Sequence, residues 1–247
     1  MNKKINIDKL KSEIEHKGYT VLKSFIKNKE LKVLKNLVDK KIVENNNQYF
    51  FLSTKNSKNT ILNNKDFLKK NELLLKKLVN AYKFSIRKNE KLYKVLRVVT
   101  GKKSEEVSLD YHFDSHLLTL LIPIYIPKRK GSNNGHLIIF KNFRSLTFNI
   151  IKNIIQKLIF QSSFFKYILN SGMVKGQILK LKPGNAYIFN GFRTLHTNLD
   201  INEKDIRATM LVHYYDIFQE SYLLKKNREL RNIREFKNIV NNKIKFN

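Results

Sequence analysis

The chain has 247 residues, 42% of them hydrophobic and including 11 tyrosines and 17 phenylalanines, which is enough apolar mass for the core of one large domain and argues against disorder. It contains no cysteine, so disulfides, thiolate metal ligands and cysteine nucleophiles are excluded, and any metal must be held by histidine and carboxylate. The formal charge of +29 reads two ways: lysine runs the whole length beside abundant Asn and Ile, as a biased base composition would write it, or the surface meets an anion such as nucleic acid, an anionic membrane or a charged substrate.

The opening "MNKKINIDKLKSEIEHKGY" has no apolar run of the kind a signal peptide needs. The greasiest later stretch, "LTFNIIKNIIQKLIFQSSFFKYIL", is interrupted by Lys152, Lys157 and Lys166, where a spanning helix wants about 20 predominantly apolar residues. The expectation is a cytoplasmic protein with no membrane span. A short helix from Asp8 leads to a strand over "YTVLKSFI", and then to a helix opening near Asn28 with Leu31, Leu34, Leu37 and Val38 on one stripe. "VENNNQYFFLSTKNSKNTILNNKD" is Asn-rich and reads as a loop. Residues 67–101, "FLKKNELLLKKLVNAYKFSIRKNEKLYKVLRVVTG", read as helical, broken near Asn89 and stopped by Gly101.

Beyond Gly101 the period changes. "EVSLDYHFD", "LLTLLIPIYI", "GHLIIF", "GQILKL", "NAYIFN" and "IRATMLVHYYDIF" read as short strands, with "GSNNG" and "KPGN" supplying turns. One helix, "NIIKNIIQKLIFQSSFFKYIL", interrupts them near 147–170, and a basic helix is expected over the final residues, 219–247. The whole predicts a single α+β domain: a mainly helical part over 1–100, then a jelly-roll core over 101–218 with the helical insert.

Three polar side chains stand at the mouth of the most hydrophobic segment: His112, Asp114 and His116. In extended chain, residues two apart share a face, so His112 and Asp114 aim an imidazole and a carboxylate at one point. "FRTLHTNL" supplies His196 after the strand "NAYIFN". Two histidines and a carboxylate with open positions form the facial triad of non-haem iron(II) oxygenases, although zinc can use the same ligands. The strand "DIRATMLVHYY" puts Arg207, Thr209, Leu211 and His213 on one face. An arginine facing a barrel interior needs an anion, and a guanidinium holds a carboxylate through two parallel hydrogen bonds.

Taken together, "YHFD…PGNAYIFNGFRTLHTN…IRAT" resembles the Fe(II)/2-oxoglutarate dioxygenases, and "HKGYTVLKSFIKNKELKVL" resembles the G-Y-x-V-x-x-x-F entry of their phytanoyl-CoA hydroxylase-like branch. The resemblance covers roughly residues 15–218. It implies a double-stranded β-helix, with His112, Asp114 and His196 as iron ligands and Arg207 as the residue that receives 2-oxoglutarate. It also implies that Asn198, two past the distal histidine, and Thr209, two past the arginine, help hold that co-substrate. The implied activity is hydroxylation of a C–H bond in a small molecule, an anionic one fitting the basic surroundings, with dioxygen consumed and succinate and carbon dioxide released. Related halogenases lack the ligating carboxylate, so Asp114 points to hydroxylation.

Competing readings attach to the same residues. His112 and Asp114 can pair with one another at a strand end, and Arg207 can pair with Asp205 or Asp216. His116 and His213 read as structural or substrate-facing, and the helical insert as packing or as a cover over the pocket. At the level of function, the alternatives are the same iron chemistry acting on nucleic acid, or a non-catalytic jelly-roll binding module. The nucleic-acid demethylases carry a further arginine on the strand after the first, and "ATMLVHYYDIF" has none.

Overall fold

The computed structural model describes residues 5–53, 64–101, 111–129, 131, 134–160, 162–219 and 221. Nearly all of the expected basic C-terminal helix and the first half of "EVSLDYHFD" lie outside them. Five helices and nine strands occur among the described residues. Helix α1 (Ile7–Lys17) starts at Asn6, whose side chain accepts from the Lys9 amide, and stops at Gly18 in the left-handed region. Strand β1 (Tyr19–Leu22) follows, shorter than expected, then α2 (Asn28–Glu44), β2 (Phe50–Ser53) and α3 (Lys65–Ala81). The remaining elements are β3 (Tyr93–Val99), β4 (His116–Tyr125), β5 (Leu137–Phe140), α4 (Ile150–Phe160), α5 (Ser163–Asn170), β6 (Gln177–Leu179), β7 (Ala186–Phe189), β8 (Leu195–Asn198) and β9 (Arg207–Asp216).

Three expectations fail here. Residues 93–99 are not helical: β3 pairs along its whole length with β9, from Tyr93↔His213 to Val99↔Arg207. The apolar residues Leu92, Val95, Leu96 and Val99 mimic a helical stripe, but the β-branched valines belong to a strand buried on both faces. The Asn-rich segment expected as loop likewise contains β2, which pairs with β3. The insert is also two helices rather than one, since Ser162 caps α5 by accepting from the Phe165 amide.

A six-stranded sheet runs β1-β7-β4-β9-β3-β2 and a three-stranded sheet runs β6-β5-β8, with every pairing antiparallel. Alternation along the long strands sorts the core. On β9, Ala208, Met210, Val212 and Tyr214 face the cluster built with α1, α2 and α3, where Ile14, Leu34, Leu75 and Leu78 are buried. Their neighbours face the small sheet: Leu121 of β4, Tyr187 and Phe189 of β7 and Leu211 of β9 pack with Leu137 and Ile139 of β5. The inner face of the large sheet, opposite β5 and β8, is therefore where Arg207, Thr209 and His213 point. No helix among the described residues is long and apolar enough to cross a membrane.

Candidate metal centre

His112 and His196 are brought together by backbone pairing. Each amide donates to the other's carbonyl, at 3.0 and 3.1 Å, in an isolated antiparallel bridge that leaves the ring centroids 4.4 Å apart. Asp114 lies two residues beyond His112 and is anchored by its amide to the Gly191 carbonyl at 2.9 Å. One ligand atom from each of His112, Asp114 and His196 lies within 4.8 Å of the others. His196 stands on a strand of its own, β8, rather than in a loop after β7.

Each ligand atom is prepared by its neighbours. The Nδ1 of His196 lies 3.0 Å from the Thr194 carbonyl, which can only accept, so Nδ1 carries a proton and Nε2 is the ring atom turned toward Asp114, 3.8 Å from Oδ2. Thr119 donates its hydroxyl to Asp114 Oδ2. His213 Nδ1 is 3.0 Å from that hydroxyl and 3.6 Å from the carboxylate. Burial works to raise the Asp114 pKa, but His213 foremost, then His196 and His112, together with the Thr119 hydrogen bond, hold it well below the usual carboxylate range. Gly191 makes the approach possible: a Cβ there would collide with Asp114 Oδ2 and Thr119 Oγ1.

From the triad the inner surface continues toward Arg207. On β8, Asn198 shares the face of His196, the two standing opposite Leu137 and Ile139 of β5. Two residues before Leu137, the Gly135 carbonyl accepts from Arg207 Nε at 2.7 Å. Gly135 has φ +64, and a Cβ there would lie 3.0 Å from Arg207 Cδ. Arg207 is only 2% exposed, yet it meets no carboxylate among the described residues. Asp205 pairs with Arg129 instead, and Asp216 Oδ1 accepts from the Phe218 amide. Burial, with the Arg97 charge adding to it, pushes the guanidinium down to about 9. On the same face of β9, the buried Thr209 hydroxyl has no hydrogen-bond partner among the described residues.

These residues fit a divalent iron with a keto-acid co-substrate. The donor set is two imidazoles and one carboxylate, and a buried cation with a hydroxyl two residues on that is unpartnered among the described residues is what an incoming carboxylate would satisfy. Sequence reasoning put His213 on the face of Arg207 without seeing that it reaches Asp114, and it missed Thr119. That pairing comes from the β4–β9 register, where Thr119 stands opposite His213. Arg144 was also missed. It is buried between the rings of Phe113 and Phe192, at 4.3 and 3.8 Å from their centroids, and it donates to the Phe192 carbonyl and to Asn153.

No family model matches the sequence, and no curated protein matches it. Solved structures match in shape. A prolyl-4-hydroxylase from Pseudomonas putida aligns with a TM-score of 0.52 at 6% identity, covering 85% of this chain and 98% of its own. The non-heme alpha ketoglutarate dependent epimerase SnoN from nogalamycin biosynthesis aligns at 0.53 and 11%, covering 85% and 80%. A prolyl 4-hydroxylase from Phytophthora capsici aligns at 0.56 and 12%, covering 87% of this chain and 64% of its own. At such identities the likeness is one of fold.

Proposed function

We propose that the chain is a non-haem Fe(II)/2-oxoglutarate-dependent oxygenase that hydroxylates a C–H bond of a small, anionic substrate. One observation carries this: a two-histidine, one-carboxylate cluster shares an interior face with a buried arginine that has no carboxylate partner among the described residues. The reading takes residues 1–247 as one domain with a double-stranded β-helix core, supported by β1, β2 and β3 being hydrogen-bonded into the same sheet as β4, β7 and β9. It takes the protein as cytoplasmic. Within the superfamily, the G-Y-x-V-x-x-x-F stretch at Gly18–Phe25 favours the phytanoyl-CoA hydroxylase-like branch.

In this reading His112, Asp114 and His196 hold the iron, and Arg207, Thr209 and Asn198 hold the co-substrate. Iron(II) with 2-oxoglutarate supplies the activation of dioxygen and the oxidation of an unreactive C–H bond, releasing succinate and carbon dioxide. The protein's part is orientation and charge. Thr194 fixes the tautomer of His196, Thr119 and His213 keep Asp114 ionised and aimed, and Arg207 neutralises the far carboxylate of the keto acid. The Phe189 ring, 5.0 Å from that of His196, and the apolar residues around it exclude water. The carboxylate of Asp114 favours hydroxylation, while SnoN, of similar fold, is an epimerase, so the fold also serves other outcomes.

The test is spectroscopic and chemical. Anaerobic Fe(II) and 2-oxoglutarate together should give the weak visible charge-transfer band of the chelate. Asp114→Ala should lose both the band and oxygen-dependent succinate release. Folded wild-type protein that binds neither ligand would refute the reading.

A further inference from the structure

Helix α4 turns most of its apolar side chains outward. Its outward stripe is Ile151, Ile155, Leu158 and Ile159, with Ile151 and Leu158 each 69% exposed, while the side toward the protein carries Asn153 and Gln156 beside the inward-packed Ile150 and Phe160. Asn153 is buried and accepts from Arg144 at 2.8 Å, and Gln156 Oε1 is buried with no partner among the described residues. A helix at a water boundary normally shows the opposite arrangement. Helix α5, next in the chain, also leaves Phe164, 73% exposed, and Tyr167, 67% exposed. A set of exposed apolar side chains of this kind marks an interaction site.

Charge identifies the occupant. From residue 115 to residue 199 the sequence has twelve Lys and Arg and not one Asp or Glu. Biased composition explains abundant lysine but not an acid-free run of that length. A second copy docking through a two-fold axis would set this face against itself, cation against cation, with no acid of the segment to balance it. An anionic lipid surface offers apolar depth for the isoleucines and opposite charge for flanking cations such as the exposed Lys152 and Lys175. With 11 residues, α4 is about 16 Å long, too short to span a bilayer and suited to lying in its interface.

We propose that the outward face of α4 and α5 docks on the anionic leaflet of a lipid bilayer. The proposal stands independently of the chemistry assigned to the metal centre. The two sites are nonetheless adjacent: on the inward side, Phe160 packs 5.6 Å from Phe113, which lies between His112 and Asp114 in the chain. Docking therefore holds the centre close to the lipid surface.

The experiment uses the full chain with phosphatidylcholine vesicles, with and without phosphatidylserine. Wild type should pellet with the anionic vesicles, less so as salt rises, and not with phosphatidylcholine alone. The chain has no tryptophan, so Leu158→Trp supplies a single reporter whose emission should shift to the blue on anionic vesicles. Combining Ile155→Asp with Leu158→Asp, both exposed and therefore tolerated by the fold, should weaken binding by about tenfold or more. Absence of pelleting, an unshifted indole, or binding that survives the double substitution overturns the proposal. So does a wild-type dimer in sedimentation velocity that the double substitution splits, which assigns the face to a second copy.

Discussion

Thr119 Oγ1 and His213 Nδ1 stand 3.0 Å apart across the central strand pair, and the Thr119 hydroxyl donates to Asp114. Its one proton is committed to the carboxylate, so the hydroxyl is an acceptor toward His213, and the imidazole must donate from Nδ1. The arrangement is a relay of orientation: a neutral side chain on β4 and a histidine on β9 fix the carboxylate that precedes β4.

Thr119→Val keeps the shape and removes the relay. With the carboxylate no longer held, Fe(II) affinity should fall about 10–100-fold, while Thr119→Ser should retain most of it. Anaerobic titration with Fe(II) or Co(II) measures this. Equal affinity in the valine and wild-type proteins would separate Thr119 from the centre.

Arg207 predicts opposite signs for stability and function. Its guanidinium is buried without a carboxylate among the described residues, so Arg207→Met should stabilise the protein without ligands by on the order of 1–4 kcal/mol. The same change should abolish 2-oxoglutarate binding while leaving Fe(II) binding in place. Thermal melts with and without the keto acid report both. A destabilised variant would mean that the charge is already compensated.

The parts of this protein that could be read from sequence are those where local pattern and tertiary role coincide. His112 and Asp114 were legible because residues two apart in extended chain share a face, although the described part of the expected strand is only a bridge from His112 to His196, and Arg207 stood out because a cation interrupts an otherwise apolar strand. β3 could not be read this way. Val95, Leu96 and Val99 fit a helical stripe as well as a buried strand, and the choice was made by pairing with β9, more than a hundred residues away. Thr119 gave no signal because its role depends on register with His213. The apolar outer face of α4 was legible as hydrophobic, but nothing in the sequence says that its polar side turns inward to meet Arg144.

Gly191 should be intolerant of even a methyl group. An added Cβ falls against Asp114 Oδ2 and Thr119 Oγ1, so Gly191→Ala should displace the carboxylate and cost about 1–3 kcal/mol of stability through overpacking. Metal affinity should fall with it. Gly172→Ala is the control, because a Cβ there meets nothing within 4 Å and the change tests only the strain of its φ of +77. Metal titration of the two variants should give a large loss for the first and none for the second.

His136 gives a pH dependence away from the metal ligands. Its Nδ1 accepts from the Leu181 amide at 3.3 Å, which requires the neutral ring. Burial first, then the charges of Lys180 and Arg207, lower its pKa below the ordinary 6.5. As pH falls through about 6.5 the unfolded chain takes up a proton that the folded one resists, so this contribution to stability declines toward acid and is fully present above that value. His136→Gln leaves an acceptor in place without a titration. Urea midpoints across the acid range should therefore fall more steeply for wild type than for the variant, and parallel curves would remove His136 from the account.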